Sequence, residues 1–178
     1  MKHTLVARVQ DQPGVLNRVA SLFRRRAFNI ESLTVGGSES PDFSRMTIVV
    51  DTARAPVHIV AANLRKLVPV VEVSDVTDLP TVTRDLALIR VKCGPGERSE
   101  ISDLVSIFRG RLVDVGPESV IVEVTGDQEK VDGLVELLRP RGILEMVRTG
   151  KVAMVRGISA SNGNGNGNGH RETAAQGE

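Results

Sequence analysis

Stretches of period-two apolar alternation and stretches of helical apolar spacing follow one another along this chain in one order, and that order occurs twice. Leu5, Ala7 and Val9 alternate with Val6, Arg8 and Gln10, which predicts a strand with a buried face. After Gly14, the residues Val15, Leu16, Val19, Ala20, Leu22 and Phe23 recur at helical spacing, with Arg18 and Arg24 to Arg26 toward the polar side. A strand over 28–35, a Gly/Ser/Pro loop over 36–42 and a strand over 45–50 antiparallel to it come next. Helical spacing returns over 55–68 through Val57, Val60, Ala61, Leu64 and Leu67, and a fourth strand covers 70–76.

This β-α-β-β-α-β order breaks at Leu79-Pro80-Thr81 and then restarts. Residues 86–91 read as a strand, and Ile101, Leu104, Val105 and Phe108 mark a helix. Residues 111–115 and 120–124 form a hairpin around Gly116-Pro117, and Val131, Leu134, Val135 and Leu138 mark another helix. Apolar residues over 143–155 supply the closing strand material. The expected class is α+β, with two ferredoxin-like βαββαβ domains over 1–78 and 84–157, each an antiparallel sheet with two helices on one face. The halves repeat an architecture, not a motif. Residues 158–178, rich in Asn and Gly, have too little apolar surface to offset the entropy of ordering and are expected to be a disordered tail.

Composition removes several functions. With 23 basic and 22 acidic residues, the chain has no net field to draw nucleic acid or an anionic membrane. Trp and Tyr are absent, so base-stacking platforms would rest on four Phe. The single Cys93 has no internal disulfide or metal-pair partner, and a small semi-buried thiol is the expected role in a reducing cytoplasm. The N-terminus lacks the apolar run of a signal peptide, and no stretch approaches the roughly 20 apolar residues of a membrane span. His3, His58 and His170 are scattered, which leaves no visible catalytic centre and no metal-ligand spacing. Gly94-Pro95-Gly96 lacks the Lys-Ser/Thr of a phosphate loop and reads as a turn.

The turn Asp11-Gln12-Pro13-Gly14 concentrates polar groups at one point. Pro13 suits the first helical turn, Gly14 lets another molecule approach the backbone, and the amides of Gly14, Val15 and Leu16 would face a carboxylate at a helix N-terminus. Asn29 at the start of the next strand can donate and accept beside it, Asp11 can face an ammonium, and Val15, Leu16 and Ile30 can surround a small branched side chain. A Pro-Gly pair also opens many helices for structural reasons alone, so both readings stand on these residues.

DQPGVLNRV, RAFNIESLTV, SRMTIVV and KLVPVVEVSDV, in this order and spacing, closely resemble the ACT domain of the acetolactate synthase small subunit, also called the acetohydroxyacid synthase regulatory subunit. IFRGRLVDVGPESVIVEVTG carries the resemblance into the second half. It implies a regulatory subunit, not catalytic alone, that stimulates the large catalytic subunit and confers feedback inhibition by valine or a related branched-chain amino acid. The reaction serves valine, leucine and isoleucine synthesis. Thiamine diphosphate, Mg²⁺ and FAD are then expected in the catalytic partner, with no cofactor or metal in this chain. Paired ACT domains imply a homodimer with effector sites at the interface. The implied effector positions are Gly14, Val15, Leu16, Asn29 and Ile30, together with Asp11, where the family often has Asn. Ala27 stands where the family commonly has Gly.

A free-standing ACT amino-acid sensor for another enzyme or a transcription factor would carry the same turn. An RNA-binding module would need exposed sheet aromatics, and only Phe28 and Phe43 lie near strands. Arg24 to Arg26 suit either a docking patch or a helix end that complements its dipole, and Arg45 suits either a contact or plain surface.

Overall fold

A computed structural model describes residues 1–52 and 56–157. The expected tail over 158–178 and the expected helix start at Ala55 lie outside the described residues. The N-terminal half runs β1 (Lys2–Gln10), α1 (Val15–Arg25), β2 (Asn29–Gly37), β3 (Phe43–Asp51), α2 (Val57–Arg65) and β4 (Val70–Asp75). The strands form one antiparallel sheet in the order β2-β3-β1-β4. The C-terminal half runs β5 (Thr81–Lys92), α3 (Arg98–Ile107), β6 (Arg111–Val115), β7 (Ser119–Gly126), α4 (Gln128–Gly142), β8 (Ile143–Arg148) and β9 (Val152–Val155), with order β6-β7-β5-β8. This is the α+β architecture expected, built twice.

Alternation decides which face of each sheet is dry. Leu5, Ala7 and Val9 of β1 and Met46, Ile48 and Val50 of β3 meet Val15, Val19, Leu22 and Phe23 of α1 and Val60, Ala61 and Leu64 of α2. Ala87, Ile89 and Val91 of β5 and Val120, Val122 and Val124 of β7 meet α3 and α4 in the same way. Cys93 is fully buried in that second core.

Both halves end their first helix with the same device. The Phe28 amide donates to the Phe23 carbonyl at 3.0 Å and the Ala27 amide to that of Arg24 at 3.2 Å, while Gly110 donates to Val105 and Arg109 to Ser106, each at 2.9 Å. These are paired Schellman closures, which need a left-handed residue, and Ala27 (φ 53°) and Arg109 (φ 49°) fill that place. Phe28 then packs edge-on against Phe23 with ring centroids 5.8 Å apart, the apolar contact that accompanies such a closure.

Two features depart from the sequence reading. The apolar run 143–155 is not one closing strand, because Gly150 (φ 83°) turns the chain and splits it into β8 and β9. The break at Leu79-Pro80-Thr81 is also shorter than expected, since β5 begins at Thr81. The first residues of β5, Thr81 to Arg84, pair with β9, whereas Asp85 onward pairs with β7 and Ala87 onward with β8. The β5–β9 ribbon lies on the helix-free face of the first sheet, where Ala153 packs with Val6 and Val76. That face is therefore partly covered by the second half. Where the ribbon leaves β4, Thr77 accepts the Thr4 amide at 2.9 Å and Asp75 meets His3 Nδ1 at 3.0 Å.

Ala27→Gly should raise stability by about 1 kcal/mol, because it removes the left-handed penalty while keeping both closure bonds. Chemical denaturation midpoints measure this, and an unchanged midpoint would show that Ala27 bears no strain. A second expectation concerns Asp75. Burial alone would push its carboxyl up, but hydrogen bonds from the Thr77 hydroxyl and amide and from His3 outweigh it and hold the group below its ordinary range. Its contribution is therefore fully present above about pH 4 and is lost as pH falls through the depressed folded value. Between about pH 4 and pH 2 the wild type should lose more stability than Asp75→Asn, as read from urea midpoints at each pH.

Candidate functional site

The turn after β1 is tied down by backbone bonds. The Asp11 amide donates to the Asp42 carbonyl at 2.8 Å, Gln12 to Gln10 at 3.1 Å and Val15 to Gln12 at 3.3 Å. Gly14 is the residue before α1, at φ 85° and ψ −4°, with no side chain capping the helix. Pro13 thus lies ahead of the helix and not in its first turn as the sequence suggested. Because the Val15 amide is already bonded within the turn, the open donors differ from those expected. Among the described residues the amides of Gly14, Leu16 and Asn17 have no acceptor, and no acidic side chain occupies the first turn. This is a helix N-terminus free to receive a carboxylate.

The side chains divide sharply. Asp11, Gln12, Pro13 and Gly14 are exposed, and a Cβ on Gly14 would meet nothing within 4 Å. Val15 is buried in the core beneath α1 and offers a ligand only backbone, which corrects its expected place around an effector side chain. Leu16 is 47% exposed and supplies the apolar contact instead. Asn29 is exposed, and Ile30 is half-buried against the core.

Within one protomer these residues do not meet. Asn29 pairs with Asp51, which pairs with Lys2 at the start of β1, whereas the turn follows Gln10 at the far end of β1, opposite Phe43. Eight residues of strand separate the two rows, or about 27 Å at strand rise. The physical reason is α1, whose 11 residues carry the chain back along the sheet before β2 begins. The expectation that Asn29 sits beside the turn therefore fails for a single chain.

Elsewhere, His58 is exposed on α2, and Phe43 is covered by the Arg8 guanidinium 4.2 Å from its centroid. With Phe28 packed on Phe23, neither ring named for base stacking is open. Arg45 is bonded within the chain, its Nη2 donating to the Ala153 carbonyl at 2.9 Å. Arg24, Arg25 and Arg26 are exposed. Among the described residues there is no group of three side chains able to hold a metal, and no helix is long and apolar enough to cross a membrane. The sequence reading missed Ser32, Thr34 and Gly150, which meet across the two halves; a glycine between two apolar runs was the only signal for the last.

Gly14→Ala should cost about 1–2 kcal/mol through backbone strain alone, since the space around it is open. A thermal or urea melt tests this, and an unaltered melt would mean that the turn relaxes out of its left-handed geometry.

Comparison with known proteins shows the family to which this fold belongs. Residues 5–72 match the profile described as AHAS small subunit-like ACT domain, and residues 84–157 match that of the small subunit of acetolactate synthase. A probable acetolactate synthase small subunit of Archaeoglobus fulgidus is 55% identical over 157 residues, covering 88% of this chain and 98% of that one. An acetolactate synthase small subunit of Mycobacterium bovis is 46% identical over 155 residues, covering 87% and 92% respectively. The crystal structure of an acetolactate synthase small subunit from Thermotoga maritima superposes with a TM-score of 0.82 at 41% identity, across 89% of this chain and 99% of that chain. With two profiles across both halves and this level of identity, the chain belongs to the family of acetolactate synthase small subunits, the regulatory subunits of that enzyme.

Proposed function

We propose that this chain stimulates the acetolactate synthase catalytic subunit and confers feedback inhibition by valine or a related branched-chain amino acid, bound between two ACT domains of a homodimer. The observation that carries this reading is the separation of the two ligand rows combined with the open edge of β2. Among the described residues β2 pairs only with β3, which leaves its other edge without a strand partner there. A two-fold axis that joins two β2 edges antiparallel would place Asn29 and Ile30 of the partner subunit at the Gly36–Gly37 end of this one. That is the end where α1 begins, and α1 packs toward β2 while α2 packs toward β4.

Each site then has a clear division of labour. The Gly14 and Leu16 amides and the helix dipole receive the effector carboxylate, and Asp11 faces its ammonium. Asn29 of the partner subunit supplies a donor and an acceptor, and Leu16 with Ile30 of the partner subunit encloses the branched side chain. Asp11 in place of Asn strengthens the ammonium contact and repels a carboxylate that strays toward it, so it fixes the ligand's orientation. The same reading assigns thiamine diphosphate, Mg²⁺ and FAD to the catalytic partner and places the holoenzyme in the cytoplasm.

Calorimetric titration of the chain with valine, leucine and isoleucine separately identifies the effector. Gly14→Asp and Asn29→Ala homodimers should each lose at least tenfold in affinity, about 1.4 kcal/mol. A mixed dimer of the two variants should regain one intact site, since its unaltered turn faces an unaltered Asn29. Mixed dimers that bind no better than either parent would sink the inter-subunit site. In the holoenzyme, inhibition should weaken by about 5- to 150-fold in Gly14→Asp while stimulation persists; failure to stimulate any acetolactate synthase catalytic subunit would instead favour a free-standing sensor.

A further inference from the structure

The turn over 149–151 joins β8 to β9 and presses on β2. Gly150 adopts φ 83°, and a Cβ there would lie 2.5 Å from Ser32 Oγ and 3.1 Å from Thr34 Oγ1. Thr34 Oγ1 donates to the Thr149 carbonyl at 3.2 Å, and the Lys151 amide donates to Ser32 Oγ at 3.3 Å. Only glycine allows both the backbone conformation and the approach.

The other side of this turn is anchored firmly in the C-terminal half. The Thr149 amide donates to the Leu86 carbonyl at 3.0 Å, and Thr149 Oγ1 accepts the Leu86 amide at 3.1 Å. The preceding residue, Arg148, is gripped by Asp85 of β5 at 2.8 Å and by Asp132 of α4 at 2.6 Å. A displacement at the turn therefore moves with β5 and α4. On the other side, β2 is an edge strand held by one neighbour, and its ladder slips between Ile30 and Ser32. Such a bulge lets the start of the strand shift relative to the rest.

We infer that the 149–151 turn is the coupling contact of this subunit: it holds Ser32 and Thr34, and effector occupancy at Asn29 and Ile30 on the same strand is passed through it to the C-terminal half. The inference rests on the effector site proposed above and adds the route out of it. Ser32, Thr34 and Gly150 are positioning residues, since none of them lies among the positions that would touch the effector. Ordering of β2 by ligand removes slack at the bulge, and the two side-chain bonds transmit that order to a rigid turn.

Hydrogen–deuterium exchange on the full-length chain tests this, with and without a saturating equimolar mixture of valine, leucine and isoleucine. The wild type should show exchange slowed several-fold both over 29–35 and over 147–152. In a Ser32→Ala, Thr34→Val double variant, slowing should persist over 29–35 and disappear over 147–152, and Gly150→Ala should behave alike. The double variant adds no bulk, so it carries the test if Gly150→Ala fails to fold by circular dichroism. Slowing confined to 29–35 in the wild type, or retained over 147–152 in the double variant, would overturn the coupling contact and leave the effector site standing. No slowing over 29–35 would overturn the placement of the effector on β2, and the coupling with it.

Discussion

A strand hydrogen-bonded on one side only must find a partner, be shielded, or remain a point of compliance. In this chain β2 is one of the edge strands, and the proposed effector site and coupling contact both lie on it. Its first residues are Asn29 and Ile30, a bulge follows directly before Ser32, and Ser32 and Thr34 are held by the far half of the chain. The core-forming strands β1 and β3 are paired on both sides and buried, so they offer a ligand nothing to move. An edge strand with a bulge can respond to a bound molecule at far lower cost than a central strand.

Much of this was legible in residue order. Period-two alternation at Leu5, Ala7 and Val9 and helical spacing from Val15 to Phe23 located β1 and α1, because in each case a single dry face dictates the pattern. The turn at Gly14 was legible for a different reason: only glycine adopts its left-handed geometry freely. Three things were not. The separation of the turn from Asn29 depends on the path of α1 across the sheet, which is a three-dimensional fact. Val15 looked like a ligand contact because it follows Gly14, yet helical geometry points it into the core. The division of 143–155 into β8 and β9 was hidden because both strands are apolar, and a run of like residues gives no sign of where pairing changes from one sheet to another.

The two halves share paired Schellman closures although they share no sequence motif. Ala27 and Arg109 occupy corresponding left-handed positions at the ends of α1 and α3, each followed by the same pair of backbone bonds. Neither is glycine, so the geometry is imposed by the surroundings: Phe28 packs edge-on against Phe23 in one half, and Gly110 fits against Val105 and the Glu123 carbonyl in the other, where a Cβ would come within 2.9 Å. Tertiary packing here overrides local preference twice at the same place.

Strand β5 belongs to both halves at once: four residues face β9 over the first sheet, and the remainder forms the centre of the second. The halves consequently have no flexible joint at this point that a protease or a gene fusion could exploit cleanly. Severing the chain between 80 and 85 would leave Val6 and Val76 of the first half uncovered and deprive β9 of its only strand neighbour among the described residues. An isolated N-terminal fragment would thus expose an apolar surface that the intact subunit hides, and its behaviour in isolation would report partly on that wound.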